Sequence, residues 1–381
     1  MCEISVVITM FNEEKSIEHT IEQMIEQTFH HYEVILIDDC SSDKTYQIAK
    51  SKIKYEPRFK LYRNEQNEGP AFSRNKGLEL AKGKYIIFLD ADDRYSPLLL
   101  ERLYKEISEK NAIVACYRSE IIDVRNDSRR LFGQWKRLGK LINEGDSLII
   151  DNPGSYKGIS SLIDLTAWSK LILREFLIKN QINFQDIKSF NDLSFALKSC
   201  LLANKIIFIN ETLIEYLQYN VDSISSKRKL VYCPIVKAYD EVLQNKFIKD
   251  KKCYNELVNR AIHNIFAIAF EENRSKSGKE RILDELKSIC KNWINGDLIL
   301  DPFCCFALEY IKNKKENFNK KELFENVIYH IFDSEGFVKI YADESDVKDV
   351  LSQYSCLHLF EKIKVVNEGN DVGYELRALC I

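Results

Sequence analysis

Short, unbroken apolar runs recur along the first 120 residues and predict buried β-strands. The five runs are Ile4 to Met10, Glu33 to Ile37, Phe59 to Arg63, Tyr85 to Leu89 and Ile113 to Tyr117. Runs of this length, rich in Val, Ile and aromatic residues, are typical of strands that are covered on both faces. We therefore expect a buried sheet in which most strands are parallel.

The segments between these runs have the spacing of amphipathic helices. Ser16 to Phe29 carries apolar residues at helical intervals, and Lys44 to about Ser51 and Ala71 to Ala81 are also predicted to be helical. Another helix is predicted to start at Ser96, with Pro97 in its first position. Strands that alternate with helices indicate an α/β fold with a mostly parallel layered sheet flanked by helices.

The pattern changes in the second half of the chain. Residues 229 to about 317 show helical stripes, whereas Phe337 to Tyr341, Cys356 to Val366 and Tyr374 to Ile381 resemble strands. We therefore predict one domain over residues 1–228. A mainly helical C-terminal region over 229–381 follows it and ends in a small α/β appendage.

Composition and charge exclude several classes of partner. The formal net charge of −3 gives no reason to expect nucleic-acid binding. The eleven cysteines form no C-x-x-C pair, so neither a zinc site nor a disulfide framework is indicated, and a reducing cytosol is favoured.

No targeting or membrane-spanning segment is predicted. Glu3 interrupts the first apolar run, and no stretch of 18 uncharged apolar residues occurs. We expect a cytoplasmic protein. Peripheral contact with the inner face of the membrane and assembly into an oligomer both remain open alternatives.

Carboxylates follow two of the predicted strands. Asp38 and Asp39 end the second strand, and Asp90, Asp92 and Asp93 end the fourth. Ligands of open α/β sheets bind at the carboxyl ends of the strands, and clustered carboxylates suit Mg²⁺ or Mn²⁺ together with substrate phosphates. These strand ends predict a nucleotide-plus-metal site, the alternative being a solvated acidic turn.

Three blocks of sequence resemble the family 2 glycosyltransferases, which are nucleotide-diphospho-sugar transferases of the GT-A fold. The blocks are SVVITMFNEE at 5–14, EVILIDDCSSDKT at 33–45 and NEGPAFSRNKGLELAKGKYIIFLDADD at 67–93. Weaker similarity, including the acceptor-side segment around Ala167 to Leu177, extends the resemblance over about residues 3–230.

The resemblance implies roles in nucleotide binding. Thr9 and Phe11 would line the base pocket, and Asp39 would accept a hydrogen bond from the uracil ring nitrogen. Arg74 would lie near the nucleotide or its phosphates. Asp90 would belong to the nucleotide-binding residues as the first carboxylate of the DxD motif.

The resemblance also implies a metal cofactor, Mn²⁺ or Mg²⁺. Asp92 occupies the second DxD position, near the ribose and the metal, and Asp93 is a further candidate ligand. Which of Asp90, Asp92 and Asp93 contacts the ion directly is left open.

Asp192 is the predicted catalytic base. In the family this block usually reads Glu-Asp, whereas this chain has Asn191 before Asp192. A base facing the donor would deprotonate the acceptor hydroxyl and give inversion at the anomeric carbon. The structural alternative is that Asp192 caps the helix Leu193 to Leu202, and Trp168 is more readily explained as a core residue than as a sugar platform.

Together these features predict a metal-dependent inverting hexosyltransferase. It would move a sugar from a nucleotide-diphospho-sugar, with UDP as the expected nucleotide, to a hydroxyl of a glycan or lipid-linked acceptor in bacterial surface polysaccharide or glycoconjugate synthesis. Two alternatives are a catalytically degenerate domain that binds a glycan or a partner, and a sugar nucleotidyltransferase.

Overall fold

A computed structural model of the chain describes residues 2–218, 234–269, 276–294, 304, 337–341, 360–368 and 371–378. Four parallel strands form its first half: β1 Ile4–Met10, β2 Tyr32–Asp38, β3 Phe59–Arg63 and β4 Tyr85–Asp90. They lie in the order β3-β2-β1-β4 and are parallel, as predicted for most strands of the sheet. Their carboxyl ends therefore meet at one edge of the sheet.

The sheet continues beyond β4 with strands of both directions. The further strands are β5 Arg94–Tyr95, β6 Val114–Asp123, β7 Ser128–Leu131, β8 Ser147–Asp151, β9 Lys170–Leu173 and β10 Lys205–Gln218. Strand β9 lies antiparallel between β4 and β6, whereas β6 and β10 are parallel to each other. The α/β class is thus confirmed, and the sheet is parallel around β1 but mixed beyond β4.

Helices cover both faces of this sheet. They are α1 Ile17–Ile25, α2 Thr45–Lys52, α3 Pro70–Leu80, α4 Leu99–Glu109, α5 Gly133–Leu138, α6 Ile159–Leu162, α7 Arg174–Lys179 and α8 Asn191–Leu201. Side chains of a strand alternate between faces, so Ile87 packs with α1, α2 and α4, whereas Phe88 packs with α3 and α8. Two hydrophobic clusters therefore sandwich one sheet.

The predicted helix start at Pro97 is wrong, because α4 begins at Leu99. The Ser96 carbonyl accepts from Gln27 Nε2 (2.8 Å) and the Pro97 carbonyl accepts from the Thr28 backbone N–H (3.0 Å). These bonds tie the turn before α4 to the chain that follows α1. The proline is therefore part of this turn.

Helices after residue 233 share the hydrophobic cluster of α3 and α8. They are α9 Ile235–Leu243, α10 Lys246–Lys249, α11 Tyr254–Ala269 and α12 Lys276–Ile289. Helix α9 packs on α8, and Lys198 of α8 forms an ion pair with Glu241 of α9. Within the described residues no helix is long and apolar enough to cross a bilayer.

A separate antiparallel sheet lies near the end of the chain. It consists of β11 Phe337–Tyr341, β12 Phe360–Glu368 and β13 Asp371–Ala378, in the order β11-β13-β12. The first predicted strand has the observed bounds, and β12 and β13 are antiparallel, with Glu368 paired to Asp371. The rest of the predicted strands, at residues 356–359 and 379–381, lies outside the described residues.

Candidate functional site

The strand register brings the predicted site residues together at one sheet edge. Thr9 lies opposite Asp90 of β4 and Ile37 of β2, and Met10 lies opposite Asp38. Phe11 follows β1, and its side chain is 45% exposed. The edge therefore has an exposed aromatic side chain beside two acidic strand ends.

Asp39 is buried, and its carboxylate organises the loop before α3. Its Oδ1 accepts from Asn64 Nδ2 (2.7 Å) and the Glu68 N–H (3.0 Å), and its Oδ2 accepts from the Gly69 N–H (2.8 Å). Gly69 has a φ of 90°, a conformation that favours glycine. Since Oδ2 receives only this one hydrogen bond among the described residues, it retains capacity for another donor.

Asp38, next to Asp39, supports the same loops from inside. It is fully buried, and its Oδ2 lies 3.1 Å from Arg63 Nε and accepts from the Ser41 N–H at 3.2 Å. Its contacts are with loop and strand groups, so it holds the turn after β2.

Arg74 connects the end of β4 with the start of α8. Its Nη2 donates to Asp90 Oδ1 at 2.8 Å and its Nη1 donates to Asn191 Oδ1 at 3.0 Å. Asp192, the predicted base, is the next residue of α8 and is half-buried. The structure therefore links the DxD strand end to Asn191, the residue before the predicted base, although the two are distant in sequence.

The alternative that Asp192 caps α8 is wrong. Phe190 is the N-cap residue, with a left-handed φ of 60°, and Asp192 lies in the first helical turn. An acidic side chain in the first turn interacts favourably with the positive end of the helix dipole. Trp168 is 4% exposed and stacks on Tyr216, with ring centroids 5.7 Å apart, as expected for a core residue.

Asp92 is held in an environment that disfavours its charge. Burial, followed by repulsion from Asp90 and Glu13, raises the pKa of Asp92 to about 7. Glu13 was not identified from sequence as part of the site, because nothing in the first block shows that its loop reaches the fourth strand end. A cation would relieve this repulsion, so these carboxylates fit a divalent metal.

Asp93 is more deeply enclosed than Asp92. It is 2% exposed, its Oδ1 accepts from the Leu217 N–H at 3.0 Å, and its buried Oδ2 has no hydrogen-bond partner. Burial and the neighbouring carboxylates raise its pKa well above the usual value. Across the described ranges no three His, Cys, Asp or Glu side chains are already arranged as a metal cage.

A cavity of about 320 Å³ opens beside Asp92 and Asp93. Lys15, His19 and Arg94 contribute basic groups to its wall. The cavity thus combines two carboxylates with three basic side chains, which suits a metal together with an anionic ligand. The only sequence signal for Arg94 is its position directly after the acidic cluster, and Lys15 and His19 gave none.

Comparison with known proteins identifies the family. The model of glycosyl transferase family 2 matches residues 5–161. The glycosyltransferase GlyG of Streptococcus pneumoniae serotype 4 is 30% identical over 215 residues, which cover 56% of this chain and 70% of GlyG. The chain belongs to glycosyl transferase family 2.

Two further proteins are similar to this chain. The cholesterol galactosyltransferase of Borreliella burgdorferi is 32% identical over 211 residues, which cover 54% of this chain and 58% of that relative. The structure of S. aureus TarS residues 1–349 in complex with UDP-GlcNAc has a TM-score of 0.67 at 18% identity, covering 97% of this chain and 98% of TarS 1–349. The predicted GT-A fold is thereby confirmed.

Proposed function

We propose that the protein is a metal-dependent, inverting glycosyltransferase that uses a UDP-sugar. The observation that carries this proposal is the bridge from Asp90 through Arg74 to Asn191, the residue before Asp192, which links the DxD strand end to the first turn of α8. A transferase needs a leaving-group site and a base for the acceptor close together, and the bridge supports such an arrangement.

Asp192 would remove the proton of the acceptor hydroxyl as its oxygen attacks the anomeric carbon. The bond from that carbon to the donor phosphate then breaks, and the nucleoside diphosphate leaves with the bonding electrons. Attack from the opposite face inverts the anomeric configuration. Asp90, Asp92 and Asp93 would hold a bound Mg²⁺ or Mn²⁺, whose contribution is to neutralise the charge that develops on the leaving diphosphate.

The donor and acceptor classes follow from similarity. UDP is supported by the resemblance and by the UDP-GlcNAc that the TarS structure contains. A hydroxyl on a lipid acceptor is supported by the similarity to the cholesterol galactosyltransferase, and a glycan acceptor by the similarity to a putative teichuronic acid biosynthesis glycosyltransferase. We place the reaction in the synthesis of bacterial surface polysaccharide or glycoconjugate.

The two alternatives fit the site less well. A nucleotidyltransferase needs several cations after β1 to hold a triphosphate, yet this loop combines the single cation of Lys15 with Glu13, which repels Asp92. A degenerate binding domain is favoured by Asn191, where the family usually has Glu. Asn191 nevertheless accepts a hydrogen bond from Arg74, so it is an integrated part of the site.

Thermal unfolding with nucleotides tests the donor site. We expect UDP with Mn²⁺ to stabilise the protein more than GDP, CDP or TDP, and we expect no such effect in Asp92→Ala. A ligand at one hundred times its dissociation constant stabilises by about 2.7 kcal/mol, which is readily measured. Stabilisation by none of the four diphosphates would overturn the proposed donor site.

Metal binding should depend on pH because of Asp92. Its pKa of about 7 means that below this pH the metal must displace a proton, so affinity rises as the pH rises to neutrality. Calorimetry of Mn²⁺ with UDP should show a loss of up to about tenfold per pH unit below pH 7. Affinity that stays constant between about pH 5.5 and 8 would contradict this assignment.

The basic side chains of the cavity should contribute to diphosphate binding. We expect Lys15→Ala and Arg94→Ala each to weaken UDP binding by about threefold to tenfold, because each removes one charge-assisted contact in a partly exposed site. Arg125→Ala is the matched control, since Arg125 lies outside the cavity and pairs with Asp123 at 2.8 Å. Equal UDP affinity in the wild type and in all three variants would show that the cavity does not hold the diphosphate.

A further inference from the structure

The Arg74 guanidinium is fixed on both edges and on one face. Its terminal nitrogens donate to Asp90 and Asn191, and its Cζ lies 5.5 Å from the centre of the Phe184 ring. Phe184 is itself held by Asn75, which donates to its carbonyl and accepts from its N–H, both at 2.8 Å. The guanidinium therefore has one defined position in the site.

In this position Arg74 is poorly placed to donate hydrogen bonds to a phosphate. The residue is only 9% exposed, and its Nε is buried without a hydrogen-bond partner. Moving the guanidinium toward a ligand would break the contacts with Asp90 and Asn191, and would leave the Asp90 carboxylate without its cation beside Asp92. The cavity, by contrast, already presents more exposed basic groups.

We infer that Arg74 and Asn191 are positioning residues that act as one unit, and that Arg74 is not a ligand of the donor phosphates. Their bridge sets the separation between the carboxylates of the DxD strand end and Asp192. This inference rests on the proposed transferase function for its kinetic consequences, but the bridge itself is independent of any substrate.

Asn191 contributes a neutral acceptor where a carboxylate would add charge. Asp90 is the carboxylate that pairs with Arg74, and the amide oxygen of Asn191 completes the bridge without adding a negative charge beside Asp192. A further carboxylate there would oppose ionisation of the base. The neutral residue is therefore compatible with catalysis by Asp192.

A double-mutant cycle tests the bridge. The variants are Arg74→Lys, which keeps the charge but cannot span both partners, Asn191→Leu, which removes the acceptor at similar volume, and the double variant. We expect each single variant to lower kcat by about tenfold to one-hundredfold, since a small displacement of reacting groups has effects of this size. The double variant should be no slower than the slower single variant, because both changes break the same unit.

Donor binding separates this role from phosphate binding. The affinity for UDP with Mn²⁺ should change by less than about threefold in all three variants, because none of them removes a ligand of the donor. Asn191→Gln, which keeps a neutral amide oxygen as acceptor, should retain more of the wild-type kcat than Asn191→Leu. Asn183→Leu, an exposed asparagine before α8, should behave like the wild type.

Two results would overturn the inference. One is a loss of UDP affinity of more than about tenfold in Arg74→Lys with no effect in Asn191→Leu, which would make Arg74 a donor ligand. The other is a double variant whose loss of kcat equals the product of the losses in the two single variants, which would mean that the two residues act independently.

Urea unfolding of the same variants requires no substrate. We expect the changes in urea midpoint of the two single variants not to add up in the double variant, and additive changes would refute the bridge. A wild-type protein that transfers no sugar would refute the proposed function, but it would leave this unfolding test of the bridge intact. If Asn191→Leu fails to fold, the cycle is run with Asn191→Ser.

Discussion

Asp192→Asn should lower the rate of sugar transfer by about 10²–10⁴-fold, the usual contribution of a general base. Asparagine keeps the size of the side chain at the start of α8 but cannot accept the proton of the attacking hydroxyl. The UDP and Mn²⁺ affinities should stay near those of the wild type, because Asp192 would act on the acceptor. Release of UDP from a panel of UDP-sugars in single-turnover assays would measure the effect.

Asp186→Asn provides the matched control for this variant. Asp186 is an exposed carboxylate in the loop before α8, so the same chemical change there should leave transfer unaffected. A wild-type rate in Asp192→Asn would remove Asp192 as the base. A parallel loss of UDP affinity would place its carboxylate at the donor.

The first half of the fold could be predicted because its strands are continuous apolar runs. Strands β1 and β3 have the predicted bounds, and the meeting of Asp90 with Thr9 follows from parallel pairing. The layered arrangement follows from the alternation of strands with helices. These features depend on local pattern, which a single sequence displays.

The contacts that complete the site could not be predicted in this way. The hydrogen bond from Arg74 to Asn191 joins residues 117 positions apart. The repulsion between Glu13 and Asp92 likewise depends on how two loops pack. Phe195 of α8 packs on Phe88 of β4, although the two elements are distant in sequence. Sequence spacing contains no signal for such contacts.

The C-terminal helices illustrate the same difference. Their apolar stripes predicted that they pack on a neighbour, but not on which one. In the structure, α9 covers α8, and the buried residues of α9 and most buried apolar residues of α8 belong to the cluster that includes Phe88 of the sheet. The helix that carries Asp192 is therefore covered by a helix from the C-terminal region.

A chain that ends at residue 228 should fail to fold cooperatively. Truncation removes α9 and α11, and it would expose the apolar face of α8, where Leu193 to Leu201 are buried. Uncovering a single large apolar side chain costs about 1.5–3 kcal/mol, so uncovering several of them costs as much as a typical total stability of about 5–15 kcal/mol. Circular dichroism during urea unfolding of the truncated and the full chain would measure this.

A pair of point variants on α9 tests the same interface within the full chain. Tyr239 is fully buried, and its hydroxyl accepts from Asn264 Nδ2 at 2.6 Å, so Tyr239→Ala should lower the free energy of unfolding by about 3–5 kcal/mol. Lys237→Ala, at an exposed position of the same helix, should change it by less than about 0.5 kcal/mol.

The truncated chain gives the result that would contradict this dependence. If residues 1–228 unfold in one transition at the urea midpoint of the full chain, the first domain is independent, and Asp192 needs no support from the C-terminal helices.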